Sequence, residues 1–167
     1  FDRLTSRFGI MFFPNQETAF ANLANWLKPG GRFAFAVWGP APDNPWMSSI
    51  RAVLEDHIVL PTQEPGAPGP FRNGEVEGIV SLLQASGFSS IESRSWKEQL
   101  SIGGGLGADA AADFALTACS IGQLLNQSEQ LTAQAARSDL SSLFSQHVAD
   151  GYVRMDAHVH IVTCRRD

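Results

Sequence analysis

The stretch that decides the fold is NWLKPGGRFAFAVW, Asn25 to Trp38. It joins a helical pattern to an apolar run through a Pro-Gly-Gly turn. Upstream, Ala19, Phe20, Leu23, Trp26 and Leu27 recur at three- and four-residue spacing and make one apolar helical face. Asn15 is placed to cap that helix, with Glu17 in the first turn, where the positive end of the macrodipole favours a carboxylate. Pro29 cannot continue a helix and biases Lys28 out of the α region. Gly30 and Gly31 permit the positive φ of a tight reversal. Phe33 to Trp38 is apolar throughout. A run this short, preceded by glycines, reads as a strand covered on both faces, as in a parallel sheet.

Outward from that unit the pattern continues. FDRLTSRFGIMFFPN, Phe1 to Asn15, opens as a strand and runs into the apolar cluster Ile10, Met11, Phe12 and Phe13. GPAPDNPW (39–46) is a rigid loop, and Met47, Ile50, Leu54 and Ile58 mark a helix after it. Residues 61–74, rich in proline and glycine, read as a loop. Asn73 then precedes Val76, Ile79, Val80 and Leu83 at helical spacing, and Gly87 sits where a left-handed C-terminal residue belongs. Residues 90–102 mix polar and apolar side chains, as for a strand near a sheet edge. Two helices follow, one carrying Phe114, Ala118, Ile121 and Leu125, the other Ala136, Leu140, Leu143 and Phe144. His158 to Cys164 closes the chain as a strand. The alternation predicts an α/β sheet with helical cover. Residues 1–103 and 151–167 are expected to form it, with 104–150 a helical insertion or lid.

Composition narrows the function. The chain has 167 residues, 44% of them hydrophobic, and a net charge of −5. No basic stretch stands against that charge beyond Arg165 and Arg166, which disfavours nucleic acid as a partner. No apolar run is long enough for a membrane span, no secretory leader is visible, and Cys119 and Cys164 fit no metal or redox spacing. A cytoplasmic setting is expected. The chain starts with Phe1, in the middle of a pattern.

FDRLTSRFGIMFFPN followed by LKPGGRFAFAVW resembles the second half of class I S-adenosylmethionine-dependent methyltransferases, and is most similar to the small-molecule branch related to ubiquinone and menaquinone biosynthesis. LLQASGF (82–88) is similar to that family's helix before its sixth strand, and HVHIVTCRR (158–166) to its seventh, antiparallel strand. The resemblance implies the second half of a Rossmann-like methyltransferase sheet, strands four to seven, with the last antiparallel. It further implies methyl transfer to a small, apolar or aromatic molecule in the parent protein. S-adenosylmethionine would be the cofactor, held mainly by a glycine-rich turn and an acidic residue on two strands that precede residue 1. The chain therefore reads as a fragment, inactive alone. A fragment of this kind leaves the flank of its first strand open and invites self-association.

In open α/β sheets ligands sit beyond the carboxyl ends of the strands. For the first strand that end is Ser6, Arg7, Phe8 and Gly9, which the resemblance places beside the methionine part of the cofactor. Met11, Phe12 and Phe13 would face substrate. A guanidinium such as Arg7 can hold a carboxylate bidentately; alternatively Arg7 is a solvated charge and the phenylalanines are core. Trp38 and Trp46 either wall an apolar substrate pocket or pack as ordinary tryptophans. His57 is a weak candidate for a general base, since methyl transfer relies largely on positioning and needs a base only when the acceptor must lose a proton. His158 and His160 share one strand face; they could chelate a metal, but no further ligand is apparent and an ordinary strand face is the simpler reading. Gly103, Gly105 and Gly107 have a G-x-G-x-G spacing, open to a hinge or to a nicotinamide-cofactor turn, but the strand before them is polar and no acidic strand end follows about 20 residues on. Two other outcomes stay open: a non-catalytic fragment that binds a small ligand or partner, and, more remotely, an NAD-dependent oxidoreductase.

Overall fold

The computed structural model describes residues 1–167 except 63, 65, 105, 106, 120, 121, 128 and 129, and the side chains of 123, 126 and 127. The chain divides into two units. The first comprises Phe1–Asn44, Gln63–Lys97 and His158–Asp167. Its elements are β1 (Arg3–Arg7), α1 (Gln16–Trp26), β2 (Arg32–Trp38), α3 (Val76–Ala85), the first part of β3 (Phe88–Ile102) and the last part of β5 (Tyr152–Arg166). The sheet runs in the order β1-β2-β5-β3. β1 lies parallel to β2, with Leu4 opposite Phe33 and Ser6 opposite Phe35. β5 lies antiparallel to β2, with Cys164 opposite Phe33 and His160 opposite Val37. β3 is a terminal strand of that order, in line with its mixed polarity.

The Pro-Gly-Gly turn works through two different glycines. Gly30 adopts φ 75°, and its N–H donates to the carbonyl of Arg166 (2.9 Å). Gly31 is needed for closeness instead: a Cβ there would lie 2.8 Å from the Lys28 carbonyl oxygen. The Asn15 side chain accepts from the Thr18 N–H and starts α1. One face of β2 (Phe33, Phe35, Val37) is fully buried with Phe20, Leu27, Ile79, Leu83, Phe88 and Val162. Its other face is only half-buried at Ala34, Ala36 and Trp38, so complete cover on both faces is not found. α3 starts two residues later than an Asn73 cap would give. The Asn73 carboxamide is instead bonded to Gln16 at 2.6 Å. Gly87 ends α3 at φ 84°, the left-handed residue its place demanded.

The second unit comprises Pro45–Thr62 and Glu98–Ala157. It holds α2 (Pro45–Glu55), α4 (Gly107–Ala118), α5 (Gln130–Ser145), the short β4 (Val148–Ala149) and the remaining parts of β3 and β5. It is larger than residues 104–150, because α2 and both strand ends belong to it. α4 buries Ala111, Ala112 and Ala115 while Phe114 stays 38% exposed, so its inner face is alanine rather than the larger residues of the sequence pattern. Small side chains let α4 lie close against α5, which buries Ala136, Leu140 and Phe144. Ile121 lies outside the described residues. Among the described residues, no helix is long and apolar enough to cross a membrane.

Candidate functional site

Parallel pairing brings the carboxyl ends of β1 and β2 side by side, with Arg7 opposite Ala36. Regular alternation would carry Phe8 onto the face of Ser6 and Phe35. Phe8 instead takes a left-handed conformation, φ 55°, unusual for a bulky residue. The turn lays its ring flat on Trp38, centroids 4.2 Å apart and planes 13° apart. The Phe8 N–H still donates to the Ala36 carbonyl (3.0 Å), so the strand pairing survives the turn. Strained backbone at a strand's ligand-side end is a feature that functional sites retain.

The other sequence candidates separate. Ser6 is half-buried, and Arg7 and Gly9 are exposed. A Cβ on Gly9 would come within 3.1 Å of the Ser6 Oγ, so the glycine keeps that hydroxyl uncrowded. Met11 is wholly enclosed in the core, whereas Phe12 is 49% exposed. Phe13 meets Phe20 edge-on at 6.5 Å. Trp46 belongs to the second unit and is buried on α2. His57, also in that unit, spends its Nε2 on Asp139 at 2.9 Å. The G-x-G-x-G reading turns on Gly105, which lies outside the described residues.

A second cluster was only half visible in sequence. The Gly39 N–H donates to the His158 carbonyl (2.8 Å), which sets His158 one step past the carboxyl end of β2. Its Nδ1 lies 2.8 Å from Asp43 Oδ2. The same carboxylate oxygen accepts from the Lys97 ammonium at 2.9 Å. Lys97 first and His158 second hold the Asp43 carboxyl below its ordinary range. The His158 N–H donates to Asn44 Oδ1 (3.0 Å), and the Asn44 amide donates to the carbonyls of Gly39 and Pro40. His160 meets His158 edge-on at 4.4 Å, with its Nε2 2.9 Å from the Gly74 carbonyl. Burial is the main cause that lowers the His160 pKa. Among the described residues, no three His, Cys, Asp or Glu side chains gather as a metal site.

The structure also makes a basic patch that the sequence does not announce. Arg3, Arg32 and Arg165 stand directly opposite one another across three strands. They line an open groove of about 360 Å³ with Thr5, Ala34 and Glu92. This groove is at the amino ends of β1 and β2, away from Phe8 and His158.

The chain aligns over 99% of its length with a provisionally named methyltransferase of Bacillus halodurans, at TM-score 0.51 and 14% identity. It aligns over the same share with the YcgJ protein of Bacillus subtilis, at TM-score 0.52 and 13% identity. The fold is the Rossmann-like one of the class I methyltransferases. In both alignments the chain spans 64% of the other protein's length, so it covers part of that methyltransferase fold. Phosphoethanolamine N-methyltransferase 2 of Haemonchus contortus, solved with phosphomonomethylethanolamine and S-adenosylhomocysteine, aligns over 99% of this chain and 33% of its own, at TM-score 0.44 and 16% identity. No family model matches the sequence, and no curated protein matches it.

Proposed function

We propose that the parent protein transfers a methyl group from S-adenosylmethionine to a small, apolar or aromatic molecule, and that this chain carries the acceptor side of the site. The observation that carries the reading is the methyltransferase fold over 99% of the chain, with the left-handed Phe8 at the ligand-side end of β1. When bound, the cofactor supplies an electrophilic methyl group on a cationic sulfur, which keeps the electron pair of the broken bond. The residues at the end of β1 fit its amino-acid end. Ser6 offers a hydroxyl that Gly9 leaves uncrowded, and Arg7 is exposed with a guanidinium suited to a carboxylate. The flat Phe8–Trp38 stack offers an apolar wall to an aromatic acceptor. Membership of the ubiquinone and menaquinone branch belongs to the same proposal and rests on the motifs of residues 1–38 and 82–88. Self-association along the outer edge of β1, the other terminal strand, belongs to it too.

Equilibrium dialysis of the chain against labelled S-adenosylmethionine tests this. The expected affinity is weak, about 1 mM or roughly −4 kcal/mol. Micromolar binding would mean that the main grip lies within this chain and would overturn the half-site reading. No binding at all, or binding unaltered by Arg7→Ala, would overturn the assignment of Ser6 to Gly9.

A further inference from the structure

We propose that His158 is the proton acceptor for the group that becomes methylated, and that Asp43 is the residue that positions it. The proposal rests on methyl transfer as read above and narrows the acceptor atom to an oxygen or nitrogen that carries a hydrogen.

An ionised carboxylate 2.8 Å from Nδ1 can only accept, so Nδ1 carries a proton and, in the neutral ring, Nε2 holds a bare lone pair. Among the described residues that Nε2 is buried and has no hydrogen-bond partner. A buried acceptor with nothing to accept from has lost water without return, and such a group calls for an explanation. A ligand hydroxyl or amine that donates to Nε2 supplies one.

The ring is also held as a proton acceptor should be. Asn44, fully buried, fixes the His158 N–H, and Gly39 fixes its carbonyl. The ring lies so close over Gly39 that a Cβ would sit 2.5 Å from Nδ1. A side chain locked by its surroundings in one rotamer and one tautomer is pre-organised for proton transfer. Its place, beyond the carboxyl end of β2, is where open α/β sheets hold ligands. The neighbouring ring does not compete for the role: His160 donates its Nε2–H to Gly74. The charged and titratable groups around the pair are Asp43, Lys97, His160 and Glu75.

In the step proposed, the acceptor's O–H or N–H bond breaks and its proton moves to Nε2. The electron pair stays on the acceptor atom and forms the bond to the incoming methyl carbon. The imidazolium so formed keeps its Nδ1–H on the Asp43 carboxylate. The chemistry is that of a carboxylate-oriented histidine acting as a base.

The test uses the chain as it is, labelled with ¹⁵N-histidine and observed by long-range proton–nitrogen correlation under mildly alkaline conditions. His158 should show a protonated Nδ1 and a bare Nε2, and phenol should shift the Nε2 resonance saturably. Anisole, the same ring without the O–H, should not. Asp43→Asn should move the proton to Nε2 and abolish the phenol response, while Asp43→Glu restores both. A protonated Nε2 in the unaltered neutral ring would overturn the proposal, and that measurement needs no variant to fold. An equal response to anisole would overturn it as well. The outcomes also separate the two readings. A phenol response with no cofactor binding leaves the proton-accepting site standing and removes the assignment of Ser6 to Gly9 to the cofactor. Cofactor binding with a protonated Nε2 does the reverse.

Discussion

Gly39→Ala should destabilise the first unit although it adds a single methyl group. The new Cβ would lie 2.5 Å from His158 Nδ1, 2.6 Å from Cγ and 3.0 Å from Cε1. Carbon contacts relax at about 3.5–4.0 Å, so the ring must retreat by about 1 Å. It starts 2.8 Å from Asp43, and that retreat takes the pair beyond about 3.2 Å, where the hydrogen bond is lost. A hydrogen bond to a charged group is worth about 1.5–3 kcal/mol. Asp43 is 39% exposed at its side chain, which argues for the lower part of that range. If instead the backbone yields, the Gly39–His158 pairing shifts, at about 1–3 kcal/mol for an overpacked site. Either route predicts a loss of about 2 kcal/mol. With a urea m-value of about 1–3 kcal/mol/M, the midpoint falls by roughly 1 M. Gly78→Ala is the control, since its Cβ meets nothing within 4 Å inside α3. It should raise stability by about 0.5–1 kcal/mol. Urea unfolding followed by circular dichroism, with the His158 nitrogen signals recorded alongside, decides the matter. A Gly39→Ala midpoint equal to that of the parent chain, with the His158 signals unmoved, would refute the reasoning.

Three further outcomes follow from the geometry. Arg32→Glu should stabilise the sheet by about 0.5–1 kcal/mol, because it replaces the middle of three like charges in one cross-strand row; the gain should shrink as salt rises, and an unchanged urea midpoint at low salt would count against it. Burial pushes the Cys164 thiol up to about 12. Because the folded state favours the neutral thiol, that contribution to stability is complete below pH 9 and is lost as pH climbs towards 12; rapid alkylation of Cys164 in the native chain at neutral pH would contradict the burial. Asn15→Ala removes the cap at the Thr18 N–H and should lower stability by about 1 kcal/mol in urea unfolding.

What the sequence could tell was whatever lies within one element and its ends. The Asn15 cap, the Pro-Gly-Gly turn, Gly87 and the apolar run that becomes β2 all act over a few residues, and each formed where expected, although β2 is fully covered on one face only. The α4 face escaped because alanine, weakly hydrophobic by itself, is chosen there for closeness to a partner helix rather than for bulk. Phe8 escaped because nothing in SRFG announces a left-handed phenylalanine; only the ring of Trp38, brought alongside by strand pairing, accounts for it. Asp43 and His158 are 115 residues apart and meet through the antiparallel return of β5. The same-face spacing of His158 and His160 was a visible signal, but the carboxylate that gives it chemical meaning sits in a proline loop. The Arg3–Arg32–Arg165 row likewise exists only in the register of three strands.

The central claim is that the cofactor's amino-acid end meets the carboxyl end of β1. The most direct test is a titration of ¹⁵N-labelled chain with S-adenosylhomocysteine, read at the backbone amides and the tryptophan indoles. Shifts are expected at Ser6, Arg7, Phe8 and Gly9 and at the Trp38 indole. Shifts centred on Arg3, Arg32 and Arg165, or none at any amide from Ser6 to Gly9, would contradict it.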